Sequence, residues 1–178
     1  MKIVISMFFK KGIELTEVFQ KVSGIAFQFK DEFNNDEDVL TEIALANMPK
    51  KSSKGVQNVM KNIILKLGFT YEKKGLFHNY PFSGMRPDAF QALLDTGIIL
   101  EIERGKSIQN NNDVLALFKV HLCKHARYLI LFVPQELRQN YVQKNPVRVY
   151  EKVCKRVKSF LEDEENYVNI DAIFILGY

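Results

Sequence analysis

The apolar positions change period along the chain, and each change marks an element. Lys2 to Phe9 is β-branched and aromatic, the composition of a strand. From Leu15 to about Phe29, Leu15, Val18, Phe19, Val22, Ile25, Ala26 and Phe29 recur in three- and four-residue steps, with Thr16 and Glu17 at the start. That spacing predicts an amphipathic helix. The polar, acidic tract Asp31 to Asp38 leads into Val39, Leu40, Ile43, Ala44 and Met48, a second short helix that Pro49 stops. The basic segment Lys50 to Lys54 offers Ser52 and Ser53 as caps. Val56, Val59, Met60, Ile63, Ile64 and Leu67 then mark a third helix ending at Gly68.

Beyond it, Phe69 to Tyr71 and Leu76 to Tyr80 read as extended, and Pro81 to Pro87 as a loop carrying Gly84 and Arg86. Asp88 to Leu94 and Gly97 to Arg104 are two apolar-rich runs joined by Asp95-Thr96-Gly97, which predicts a β-hairpin. A helix capped by Asn110 to Asn112 is expected from Asp113 to about His125. Arg127 to Val133 is a continuous apolar run of strand length, as expected of a strand buried on both faces. Pro146 to Leu161 predicts another helix, and Ile170 to Leu176 a final buried strand. From residue 55 onward this order argues for an α/β fold, a mixed sheet covered by helices on both faces. The 178 residues, uninterrupted by repeat or linker, are expected to form a single domain. Residues 1–49 would be an N-terminal part packed as a cap, and residues 50–178 the core.

Composition adds less than charge distribution. Apolar residues at 47 % and charged residues at 26 % exclude disordered and low-complexity classes. The net charge of +4 divides unevenly: residues 1–49 hold 5 basic and 8 acidic side chains, net −3, which leaves +7 for residues 50–178. The positive charge therefore belongs to the later part of the chain. Cys123 and Cys154 form no metal knuckle and suggest a reduced, cytoplasmic protein. The apolar run before Lys10 is too short for a membrane span and has no cleavage site after it, so neither span nor export is expected. With no Trp and with Phe residues on apolar faces, a stacking platform for single strands is not supported.

The chemistry gathers in Arg86-Pro87-Asp88 and Glu101-Ile102-Glu103-Arg104-Gly105-Lys106. One hairpin brings Asp88 beside Glu101, and on an extended strand Glu101 and Glu103 share a face. Like charges this close raise one another's pKa unless a cation sits among them. Mg²⁺, or Mn²⁺ as a substitute, is the natural partner for such an oxygen set. Zinc is a weaker choice, because His78, His121 and His125 have no standard spacing to a cysteine. The bland alternative makes these acids exposed strand or turn residues paired with Arg86, Arg104 or Lys106. Arg104, Lys106 and Asn110, Asn111 and Asn112 are of the types that hold phosphates or read base edges, and so is Arg86. Lys119 on the next helix is a candidate for the nucleic-acid backbone. Arg148, Lys152, Lys155, Arg156 and Lys158 offer either a phosphate-tracking stripe or a solvated outer face.

Pro87-Asp88 followed across a hairpin by Glu101-Ile102-Glu103 resembles the PD-(D/E)XK nuclease superfamily, with Glu103 standing where a Lys is usual. Some type II restriction endonucleases carry Glu or Gln there, and the chain looks most like that subgroup. The resemblance covers residues 55–176. It implies a restriction-endonuclease-like three-layer α/β/α fold with a central mixed sheet, residues 1–49 forming an N-terminal helical elaboration. It further implies Mg²⁺-dependent hydrolysis of double-stranded DNA by a homodimer. Asp88 and Glu101 would hold the metal; Glu103 would orient or deprotonate water or ligate a second ion, with Lys106 as rival supplier of the missing cation. An acid on an upstream helix often completes such a site, which makes Glu42 its candidate. The alternatives are a structure-selective repair or resolvase nuclease, or a catalytically inactive DNA-binding domain of the same fold.

Overall fold

The computed structural model describes residues 2–81, 84–105, 110–163 and 165–178. Among them the chain forms β1 (Val4–Phe9), α1 (Glu17–Asn34), α2 (Glu37–Ala46), α3 (Ser53–Lys66), β2 (Thr70–Tyr71), β3 (Ala89–Ala92) and β4 (Gly97–Ile102). There follow α4 (Asn112–Leu122), β5 (Tyr128–Val133), the small pair β6 (Glu136–Leu137) and β7 (Val147–Arg148), α5 (Val149–Glu162) and β8 (Ala172–Gly177). Six strands make one mixed sheet in the order β1-β8-β5-β4-β3-β2. The central pairings β4 with β5 and β5 with β8 are parallel, while β1 with β8, β3 with β4 and β2 with β3 are antiparallel.

Strand alternation divides the core in two. Ile98, Leu100, Ile102, Ile130, Phe132, Phe174 and Leu176 face α1 and α3, meeting Phe29, Phe33, Met60 and Ile64. Ile99, Leu129, Leu131, Ile173 and Ile175 face the opposite way, under Leu117 and Val120 of α4 and Val153 and Val157 of α5. Every residue of β4, β5 and β8 is buried. At about 1.5–3 kcal/mol for each large apolar side chain removed from water, these three strands dominate the driving force for folding. The result is the expected three-layer α/β/α arrangement.

Several boundaries differ from the sequence reading. The acidic tract from Asp31 is helical as far as Asn34, because Phe29 and Phe33, four residues apart, both reach the core. Asp36 then caps α2, its Oδ1 accepting the Val39 N–H at 3.0 Å. Residues 1–49 do not lie as a cap on a finished core: β1 is the edge strand beside β8, and α1 packs on the sheet. Leu76 to Tyr80 is a series of turns and not a strand. Leu76 and Phe77 enter the same core layer, whereas strand neighbours point to opposite faces, the Tyr80 N–H bonds to the Phe77 carbonyl at 3.0 Å, and Gly75 with φ 84° starts the reversal. The fourth helix ends at Leu122, short of His125, and the fifth begins at Val149 because Val147 and Arg148 pair with β6. No helix among the described residues is long and apolar enough to cross a membrane.

The β3–β4 hairpin turns where expected, with Ala92 opposite Gly97. Gly97 is required by close approach: a Cβ there would lie 2.6 Å from the Phe90 ring and 2.7 Å from the His125 carbonyl oxygen. Gly97→Ala is expected to destabilise the protein by about 1–3 kcal/mol. Gly24, on the exposed side of α1 with open space around it, has the opposite expectation: Gly24→Ala is stabilising by about 0.5–1 kcal/mol. Denaturant midpoints of the two variants, moving in opposite directions, check both.

Candidate active site

Three acids meet at the carboxyl end of β4, between the helices of the two faces. The register pairs Ala89 with Leu100, and its continuation by one residue sets Asp88 against Glu101. Asp88 accepts the Ile102 N–H through Oδ2 at 2.7 Å and the Gln57 side-chain amide through Oδ1 at 3.1 Å. Gln57 stands on α3, so the first acid is held from that face. Glu101, by alternation, points to the other face and into α4. There Lys119 Nζ lies 2.7 Å from Oε1 and 2.8 Å from Oε2. The Glu101 side chain is only 3 % exposed and that of Lys119 22 %.

Glu103 follows the end of β4, its N–H bonded to the Phe132 carbonyl at 2.8 Å. Its Oε2 accepts the Asn112 amide at 2.9 Å, while its backbone carbonyl accepts the hydroxyl of the buried Tyr178 at 2.8 Å. The α4 end that supplies Asn112 is itself anchored. Arg156 of α5 reaches Asp113 Oδ1 at 3.0 Å and Asn111 Oδ1 at 3.1 Å, and Asp113 is fully buried.

Electrostatics single out the same group. Burial pushes the Glu101 carboxyl up to about 8; Lys119 opposes this, and Asp88 and Glu103 reinforce it. Burial likewise raises Asp88, against the Ile102 N–H, Lys119 and Gln57, with Glu72 adding to the rise. It raises Glu103 too, against Asn112 and Lys119 and with Asp88. Among the described residues, the Lys119 ammonium lowers all three carboxyls, and these three acids with that lysine carry a formal charge of −2 when ionised. The acids are not exposed strand residues, and none of them is paired with Arg86 or Arg104.

The remaining sequence candidates separate. Arg104 is buried, its guanidinium donating to the carbonyls of Lys51, Met48 and, at 3.2 Å, Asn47. It clamps the loop between α2 and α3 and is not free to contact DNA. Asn112 orients Glu103, whereas Asn110 and Asn111 are exposed at the start of α4. Arg86 is exposed on the loop before Asp88. Lys106 lies outside the described residues. Glu42 is exposed on α2 and is not brought to the three acids, which draw their partners from α3, α4 and β4. His121 accepts the Asn169 N–H through Nδ1 at 3.0 Å, and the His125 ring faces His78 instead of His121.

Sequence reasoning placed Lys119 on the nucleic-acid backbone and did not place it among the acids, and it passed over Gln57. A signal for Lys119 was present: Ala116, Leu117 and Val120 mark the sheet-facing stripe of α4, and Lys119 borders it. Among the described residues no three His, Cys, Asp or Glu side chains form a ready-made metal cage. The donor chemistry nevertheless suits a hard divalent ion: Mg²⁺ is commonly held by one or two carboxylates, with water and substrate phosphate completing its shell.

No protein-family model and no curated protein matches the chain. Among solved structures, restriction endonuclease BglII in complex with a DNA 16-mer superposes over 99 % of this chain and 78 % of its own, with a TM-score of 0.54 and 14 % sequence identity. At that identity the likeness speaks for the fold, and it spans the N-terminal part as well as the core. The chain has a restriction-endonuclease-like fold.

Proposed function

We propose that the protein is a divalent-metal-dependent DNA endonuclease of the type II restriction class. The observation that carries this reading is the convergence of Asp88, Glu101 and Glu103 with Lys119 at the carboxyl end of one strand of a restriction-endonuclease-like sheet. Asp88 and Glu101 would hold the ion, with Mg²⁺ the natural occupant and Mn²⁺ its substitute. When bound, such an ion places positive charge beside the scissile phosphate and lowers the pKa of a coordinated water.

The chain's own groups supply the rest. Lys119 sets an ammonium where negative charge develops on the phosphate oxygens, and comes from α4 where relatives of this motif use the strand. Glu103 has Oε2 fixed by Asn112, which leaves Oε1 to take a proton from the attacking water. Water oxygen bonds to phosphorus, the bond to the leaving sugar oxygen breaks, and that oxygen leaves with a proton from solvent. Cutting both strands calls for two such centres, so a homodimer is part of the proposal.

Plasmid DNA incubated with Mg²⁺ tests the reading. Wild-type protein is expected to give discrete fragments, Asp88→Ala none, and Lys119→Ala a rate lower by about 10²–10³. A wild-type protein that cuts no duplex with any divalent ion contradicts it; branched substrates cut in preference favour the repair-nuclease alternative.

The raised carboxyls also predict a pH dependence. An acid whose pKa is higher in the folded state contributes stability below its unfolded pKa and loses it as pH rises through the folded value. In metal-free buffer, the melting temperature is therefore expected to fall between pH 5 and pH 8, by on the order of 5 °C. Glu101→Gln should flatten the slope, and millimolar Mg²⁺ should do the same for wild type. Calorimetry checks this, and a melting temperature that rises across the window contradicts it.

A further inference from the structure

We infer that one ridge of α3 and the loop before it, carrying Lys50, Lys51, Lys54 and Lys61, is a docking surface for the phosphate backbone of duplex DNA flanking the cleavage centre. The inference rests on the nuclease reading and extends it to a part of the chain that no motif marks.

Gln57 fixes the position of this ridge. Its side chain touches Asp88 at 3.1 Å, so the helix face that carries it opens onto the acids. At 100° per residue, Lys54, Gln57 and Lys61 fall within about 60° of arc on that face. The Lys61 ammonium lies 5.6 Å from the ring centre of Tyr71, whose hydroxyl approaches the Gln57 carbonyl at 3.5 Å. Lys61, Tyr71, Gln57 and Asp88 thus form one continuous surface along α3 and β2. At its other end the loop bearing Lys50 and Lys51 is clamped through the Lys51, Met48 and Asn47 carbonyls by Arg104, the residue next to Glu103. The basic loop is thereby tied to the same strand end as the acids.

Charge and reach fit a polyanion. All four lysines are exposed, and among the described residues none forms an ion pair, whereas Lys66 at the end of the same helix is paired with Glu32 at 2.7 Å. Glu72, which follows β2, is an acid that also acts on Asp88. The rise of about 10 Å from Lys54 to Lys61 compares with about three phosphate steps of one DNA strand. Lys119 stands on the opposite helix layer, so a duplex over the acids meets cations from both sides. The α5 lysines Lys152, Lys155 and Lys158 belong to a helix packed over β1 and β8, away from β3 and β4.

The test measures duplex binding by fluorescence anisotropy across a salt series in the Asp88→Ala background, which separates binding from cleavage. Replacing Lys50, Lys51, Lys54 and Lys61 by Gln is expected to weaken binding tenfold or more at 0.1 M salt. It should also lower the slope of log affinity against log salt by up to about 3.6, at about 0.9 for each lost phosphate contact. Arg at Lys54 and Lys61 should retain binding, and Gln at Lys152, Lys155 and Lys158 should leave the slope unchanged, with circular dichroism confirming folded protein throughout. A parent that binds duplex while the α3 variant matches it, or an α5 variant that loses the slope instead, overturns the ridge and leaves the nuclease reading standing. A parent that binds no duplex at all overturns both.

Discussion

A carboxylate in the middle layer of a sheet needs a cation, and the structure is organised around that requirement. Glu101 belongs to a strand whose every residue is buried, so its charge has almost no access to water. Removing such a group from solvent costs several kcal/mol unless another charge answers it. Lys119 answers it with both oxygens in reach, and that demands that α4 cross the sheet at one height and one rotation. The pair that Arg156 makes with the buried Asp113 at the start of α4 and the seating of Leu117 and Val120 on the sheet fix that placement.

The same helix then serves a second acid through Asn112, and the opposite layer serves the third through Gln57. The acidic cluster therefore depends on both helical layers at once, though its acids come from one hairpin. Arg104 extends the tie to the loop before α3. Among the described residues the cluster so held has more acids than cations. Like charges this close cost stability, a cost that the divalent ion of the proposed function would relieve.

Much of this was legible in the residues. The run Arg127 to Val133 has the length and continuity expected of a strand buried on both faces, and Asp95-Thr96-Gly97 set a hairpin whose register carries Asp88 to Glu101. Period-two alternation put Glu101 and Glu103 on one side. What could not be read was tertiary. Lys119 is eighteen positions beyond Glu101, and only the packing angle of α4 turns it from a surface lysine into the partner of a buried acid. Arg104 resembles a phosphate ligand because a charged residue just after a strand is ordinarily exposed; the carbonyls it satisfies lie more than fifty residues upstream. Leu76 to Tyr80 reads as extended, but its neighbours Leu76 and Phe77 enter the same core layer, which a turn allows and a strand does not.

The central claim is that these acids hold a divalent ion for work on a phosphodiester. Titration of the protein with Mn²⁺, followed by the loss of the free-ion electron paramagnetic resonance signal, tests it most directly. Saturable binding of about one ion per chain is expected, weakened at least about tenfold by Glu101→Gln. Equal affinity in wild type and variant, or no saturable binding in either, would contradict the account.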